Sequence, residues 1–109
     1  MTAYAIARLT DVDVGPAIRE YLERIDDTLA PFEGRFIIHG GPRTIVEGSW
    51  REDLIVVRFP TLQHARDWYG SAAYQAILPL RTQNSLGDVI LMEGVDEDHK
   101  ATDVLSASR

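Results

Sequence analysis

RFIIHGGPRTIVEGSWREDLIVVRF, residues 35–59, holds two extended apolar runs with turn-forming residues between them. Arg35–His39 alternates as a strand, which places Arg35, Ile37 and His39 on one side and Phe36 and Ile38 on the other. Gly40-Gly41-Pro42 interrupts it, and two glycines in a strand pattern mark a bulge or a sharp bend. Thr44–Glu47 then resumes extended character, as the continuation of one bent strand or as a second short one. Gly48–Asp53 supplies a turn. Leu54–Phe59, β-branched and apolar, is a strand that Pro60 closes. The stretch therefore reads as a hairpin.

A helix is expected on each side of that hairpin. Upstream, Ile18, Tyr21, Leu22, Ile25, Leu29 and Phe32 recur at spacings of three and four, predicting one amphipathic helix over 14–32. Asp11 and Asp13 precede its first turn, Pro16 fits that turn, and Ala30-Pro31 with Gly34 ends it. Downstream, Thr61 and Ser71 are N-cap residues for two short helices. The first carries Leu62, Ala65, Trp68 and Tyr69; the second carries Tyr74, Ile77 and Leu78 before Pro79 breaks or kinks it. Ala3–Leu9 reads as the first strand and Asp88–Gly94 as the last. Residues 96–109 hold four acids and two bases without a periodic apolar face, and are expected to form a flexible or partner-docking tail after a domain spanning 1–95.

The order β-α-β-β-α-β predicts an α+β fold, a ferredoxin-like antiparallel sheet with helices on one face. Strand alternation assigns Ala5, Ala7, Leu9, Phe36, Ile38, Val46, Ile55, Val57, Phe59, Ile90 and Met92 to the helix side. The opposite face, with Ile6, Ile37, Val56, Val89 and Leu91 at its centre and charged residues at its ends, is too apolar for solvent and predicts a homodimer through the sheet.

The chain of 109 residues has a net charge of −6 and contains no cysteine. No disulfide, thiolate nucleophile or cysteine metal site is available. Its ten arginines are scattered singly, so neither nucleic acid nor an anionic membrane is an expected partner. The one lysine, Lys100, sits in the tail, away from any Schiff-base or phosphate-loop role. No signal-peptide pattern or membrane-spanning run is visible, so a cytoplasmic protein is expected. HExxH, GxSxG and CxxC are absent, and no metal or other cofactor is expected.

Several strings resemble the domain-of-unknown-function 1330 family: Gly34-Arg35-Phe36 with Gly40-Gly41, Glu47-Gly48-x-Trp50, Arg58-Phe59-Pro60, Ala65-x-x-Trp68-Tyr69-x-Ser71-x-x-Tyr74-Gln75, Pro79-Leu80-Arg81 and Glu93-Gly94. They occur in order over residues 3–95. The resemblance implies a dimeric α/β barrel, two four-stranded sheets packed face to face, in a superfamily that includes cofactor-free monooxygenases, muconolactone-isomerase-like enzymes and haem-binding branches. His39 departs from the family, which places arginine before Gly-Gly; a titratable group replaces a permanent cation.

The candidate site follows from residue chemistry. His39, at a strand end beside a bend, can serve as general base or can be an interface histidine. Arg35, expected on the same face ~13 Å away, can hold a carboxylate or enolate, or pair with Glu47 or Glu93. Glu47 can act as acid or base, or as that structural partner. Trp50, Tyr69 and Tyr74 can wall an aromatic pocket, with Trp68 read as core. Arg81 can bind an anion or form a surface ion pair. Two functions are expected of such a chain: a cofactor-independent monooxygenase or proton-transfer isomerase acting on a small aromatic or polyketide-like metabolite, with His39, Arg35 and Glu47 catalytic and Trp50, Tyr69, Tyr74 and Arg81 binding substrate; or a non-catalytic dimeric small-molecule-binding or stress-associated protein.

Overall fold

The computed structural model describes residues 1–106. Strand β1 (Ala3–Thr10) leads into helix α1 (Pro16–Leu29), which tightens to a 3₁₀ turn over Ala30–Phe32. Strands β2 (Arg35–His39) and β3 (Asp53–Phe59) follow, then helices α2 (Leu62–Tyr69) and α3 (Ala72–Thr82), strand β4 (Leu86–Glu93) and a one-turn helix α4 (Asp103–Ser106) within the expected tail. The strands form one antiparallel sheet in the order β2-β3-β1-β4. This is the ferredoxin-like arrangement, with the second helical crossing split in two at Gly70.

Local chemistry accounts for most boundaries. The Thr61 and Ser71 hydroxyls cap α2 and α3, accepting from the backbone N–H of His64 and Tyr74 at 3.1 and 3.2 Å. Pro16 occupies the first turn of α1, after Gly15 at the N-cap. Asp13 donates its backbone N–H to the Asn84 carbonyl at 2.8 Å, tying the start of α1 to the end of α3. Helix α1 ends at Leu29, earlier than the apolar periodicity predicts, because Pro31 has no N–H to continue the ladder. Glu33 then takes the left-handed turn, with φ 57°. Gly34 is needed for space: a Cβ there would lie 2.6 Å from Phe59 Cε1.

Pro79 does not end α3, which runs on to Thr82. Ile77 and Arg81, on either side of it, are both buried, and that packing holds the helix across the missing hydrogen bond. The expected extension of the hairpin over Thr44–Glu47 is absent. Gly40 and Gly41 take φ +65° and +91°, and Pro42 cannot donate to a ladder, so the chain leaves the sheet after His39. Ile45, Val46 and Glu47 lie in an exposed loop.

The pairing register corrects two face assignments. Leu91 stands opposite Ala5 and Val89 opposite Ala7, so both point to the helices. Ile90 and Met92 stand opposite Ile6 and Tyr4, on the open face, where they are 53% and 49% exposed. In β2 the register shifts between Phe36 and Ile38: Phe36 pairs with Val57, Ile38 with Val56 and His39 with Ile55. Ile37 is the extra residue of a bulge. Ile38 thereby joins Arg35 on the open face, and His39 turns to the helix side with Phe36. Tyr4, Ile6, Ile38, Leu54, Val56, Ile90 and Met92 consequently share the open face.

Candidate functional site

The central strand β1 presents alanines to the helices. Ala5 and Ala7 sit where larger side chains would fill the space below α1, and a cavity of about 270 Å³ remains between sheet and helices. Its mouth is marked by exposed lining residues, Val14 and Leu22 of the α1 region together with His39 and Asp53. Its depth is marked by buried ones, Ile18, Tyr21, Ile25, Trp68, Tyr74 and Arg81.

His39 reaches the mouth through the bulge at Ile37. Its ring lies flat on Phe36, with centroids 4.4 Å apart and planes 10° from parallel. That stacking sets the imidazole at the rim, where His39 is exposed. Asp53, beside it on the lining, is held by Arg43 at 3.3 Å.

The aromatic wall is built from α2 and α3. Trp68 and Tyr74 rings are 4.1 Å apart, and the Trp68 indole N–H donates to Thr28 Oγ1 at 3.0 Å. Thr28 Oγ1 in turn donates to the Ile25 carbonyl at 2.7 Å, so the wall is anchored to α1. Tyr21, from α1, closes the floor: its hydroxyl lies 2.7 Å from that of Tyr74. Burial, and then the neighbouring Tyr74, push the Tyr21 phenol far above its ordinary value, so it is neutral wherever the protein is folded.

Arg81 lies against this pair. It is 8% exposed, and its guanidinium carbon stands 6.0 Å from the Tyr21 ring centroid. Burial works against its charge, but the phenol oxygens of Tyr74 and Tyr21 outweigh that and hold it above the ordinary arginine value. It stays a cation.

The expected site residues thus separate. His39, Tyr74 and Arg81 line one cavity, and Trp68, read as core, is both core and wall. Tyr69 stands behind the wall, 5.5 Å from the Tyr74 ring, without reaching the lining. Arg35 is on the other side of the sheet, opposite Arg58, in a second concavity with Thr2 and Glu33. The shared face of Arg35 and His39 is therefore overturned by the bulge. Glu47 is exposed in the loop after the double glycine and, among the described residues, pairs with neither Arg35 nor His39. Trp50 is half-exposed in the same loop, its indole N–H donating to the Glu52 carbonyl at 2.8 Å. Sequence reasoning missed Tyr21 and Asp53 as site residues. A hydroxyl-bearing tyrosine at the centre of the aliphatic stripe of α1 was the available signal for Tyr21. Among the described residues no group of three or more His, Asp or Glu side chains gathers where a metal ion could be held. No helix among them is long and apolar enough to cross a membrane.

The model of one family, domain of unknown function (DUF1330), matches residues 2–95. The chain belongs to the DUF1330 family. No curated protein matches this DUF1330 chain. Solved structures share its fold at low identity. A protein of unknown function from Rhodopseudomonas palustris is 13% identical, with TM-score 0.65 over 87% of this chain and 83% of that one. A dimeric ferredoxin-like protein of unknown function from Jannaschia sp. CCS1 is 19% identical, with TM-score 0.62 over 86% and 100%. SnoaB, a cofactor-independent oxygenase from Streptomyces nogalater, is 13% identical, with TM-score 0.60 over 91% and 98%. These likenesses establish the ferredoxin-like fold of the DUF1330 chain.

Proposed function

We propose that this protein is a homodimeric, cofactor-independent enzyme that moves a proton on a small aromatic metabolite bound between helices and sheet. The observation that carries the reading is His39 at the rim of an aromatic-walled cavity. A neutral imidazole there can take a proton from a carbon next to a carbonyl. The C–H bond breaks, its electron pair moves into the enolate, and the imidazolium returns the proton to carbon. A positioned base of this kind contributes about 10²–10⁴-fold. An enolate of an aromatic substrate is also open to attack by molecular oxygen, which connects the same site to the chemistry named for the Streptomyces nogalater neighbour. Arg35, Glu47 and Trp50, on the far face or in the exposed loop, have no part in this step.

The dimer rests on the open face. Ile38, Ile90 and Met92 are 42%, 53% and 49% exposed on a contiguous apolar surface with Ile6 and Val56, the kind of patch that a second copy covers. The Jannaschia neighbour is described as dimeric.

Phenylpyruvate, an aromatic keto acid with an acidic benzylic carbon, tests the chemistry. Its benzylic hydrogens are followed by proton NMR in deuterated buffer. The protein is expected to accelerate their exchange and His39→Ala to remove most of that acceleration. Exchange no faster than in buffer sinks the enzyme reading and leaves the non-catalytic binding protein in its place.

A further inference from the structure

Arg81 is the one charged side chain that is buried among the described residues. None of the ion pairs among those residues includes it. Its neighbours are the two phenols, and Tyr21 is held neutral. The phenols hold the charge in place, but neither is an anion and a guanidinium keeps its proton, so among the described residues the cation stands without a counter-charge. Arg81 also lines the cavity, among Ala5, Ala7, Ile18, Tyr21 and Tyr74. The missing counter-charge and the vacant space adjoin.

We propose that Arg81 is the anion-binding group of this cavity and that the ligand is an aromatic carboxylate. This rests on the cavity being the ligand site. The planar fork of arginine matches a carboxylate through two parallel hydrogen bonds. The phenol hydroxyls of Tyr21 and Tyr74 stand beside that fork; one spends its proton on the other, and the remaining O–H can donate a further hydrogen bond to the carboxylate. A phosphate ester fits poorly, because the rest of the depth is apolar and no second buried cation accompanies Arg81. The ring of the ligand then lies along Trp68 and Tyr74, towards His39. The cavity, about 270 Å³, takes one or two rings and not a drug-sized molecule. The carboxylate thereby sets the end of the ligand that points inward, and His39 meets the opposite end.

The test uses a matched pair, 2-naphthoate and 2-naphthamide, titrated calorimetrically into the native protein and into Arg81→Met. Native protein is expected to prefer the carboxylate by on the order of ten- to a hundredfold, the worth of charged hydrogen bonds out of water. Arg81→Met is expected to bind both alike, at about the native affinity for the amide. A thermal melt without ligand checks that Arg81→Met is folded before its binding is compared. Equal binding of the two ligands by native protein, or a preference that survives in Arg81→Met, overturns the proposal while the cavity remains a binding site. Binding of neither ligand overturns both. If Arg81→Met does not fold, Arg81→Lys decides: it keeps the charge without the fork, and an undiminished preference counts against the bidentate site.

Discussion

His39 lies on Phe36, ring against ring at 4.4 Å, although they stand three positions apart in the chain and a regular strand would set them on opposite faces. The bulge at Ile37 brings them to one side. The place of His39 in the site depends on that extra residue. Without it the imidazole would stand among Arg35 and Arg58 on the open sheet face, away from the aromatic wall.

The cavity exists because β1 is small-sided beneath the helices. Ala7→Leu adds three heavy atoms into the lined space. Ligand binding is expected to fall more than tenfold, while the melting temperature holds or rises, as in cavity filling at a functional site. Calorimetry with 2-naphthoate and a thermal melt report the two effects separately. Unchanged affinity places the ligand elsewhere.

Tyr21 sets an alkaline limit on stability. Its phenol titrates near 10.0 when unfolded and far higher when folded, so the folded state binds more protons above that pH. Stability from this group is full below pH 10.0 and falls as pH rises above it, by roughly 1.4 kcal/mol per pH unit. Urea midpoints at pH 9, 10 and about 11 are expected to decline with a slope that Tyr21→Phe lessens. An identical decline in both proteins contradicts the assignment.

The corrected register of β4 separates two neighbouring residues. Ile90→Asp puts a charge on the open face and is expected to give a folded monomer. Leu91→Asp puts it beside Ala5, against the core of the helix side, where an unpaired charge prevents folding. Sedimentation and circular dichroism distinguish the two. Native protein that sediments as a monomer at micromolar concentration removes the dimer.

The tail makes its own expectation. Val104 and Leu105 of α4 are 42% and 84% exposed, so the helix buries little. We take residues 1–95 as the folding unit; truncation after Val95 is expected to move the melting temperature by no more than a few degrees. A larger loss gives the tail a structural role. The last part of that tail, residues 107–109, lies outside the described residues.

How far the site was legible depended on contrast in the chain. The hairpin between two helices, the caps at Thr61 and Ser71 and the stripe of α1 were readable, because each carries a local chemical signal. The parity of β4 was not. Val89, Ile90, Leu91 and Met92 are apolar on both faces, and only pairing with β1 decides which pair meets the helices. The bulge at Ile37 leaves no mark in a run as uniform as RFIIH. Arg81 was legible in hindsight. It stands seven residues after Tyr74 and four after Ile77, on the buried stripe of α3, but an arginine in a last helical turn is ordinarily a surface residue.

The central claim is that one cavity, between sheet and helices, takes an aromatic acid with Arg81 at its depth and His39 at its rim. Nitrogen-resolved NMR during titration with 2-naphthoate tests it most directly. The account predicts that the Arg81 Nε–H, the Trp68 indole N–H and the His39 ring resonances shift together, saturating at one affinity. Shifts confined to Arg35, Arg58, Ile90 and Met92 on the open face, with Arg81 unmoved, contradict it.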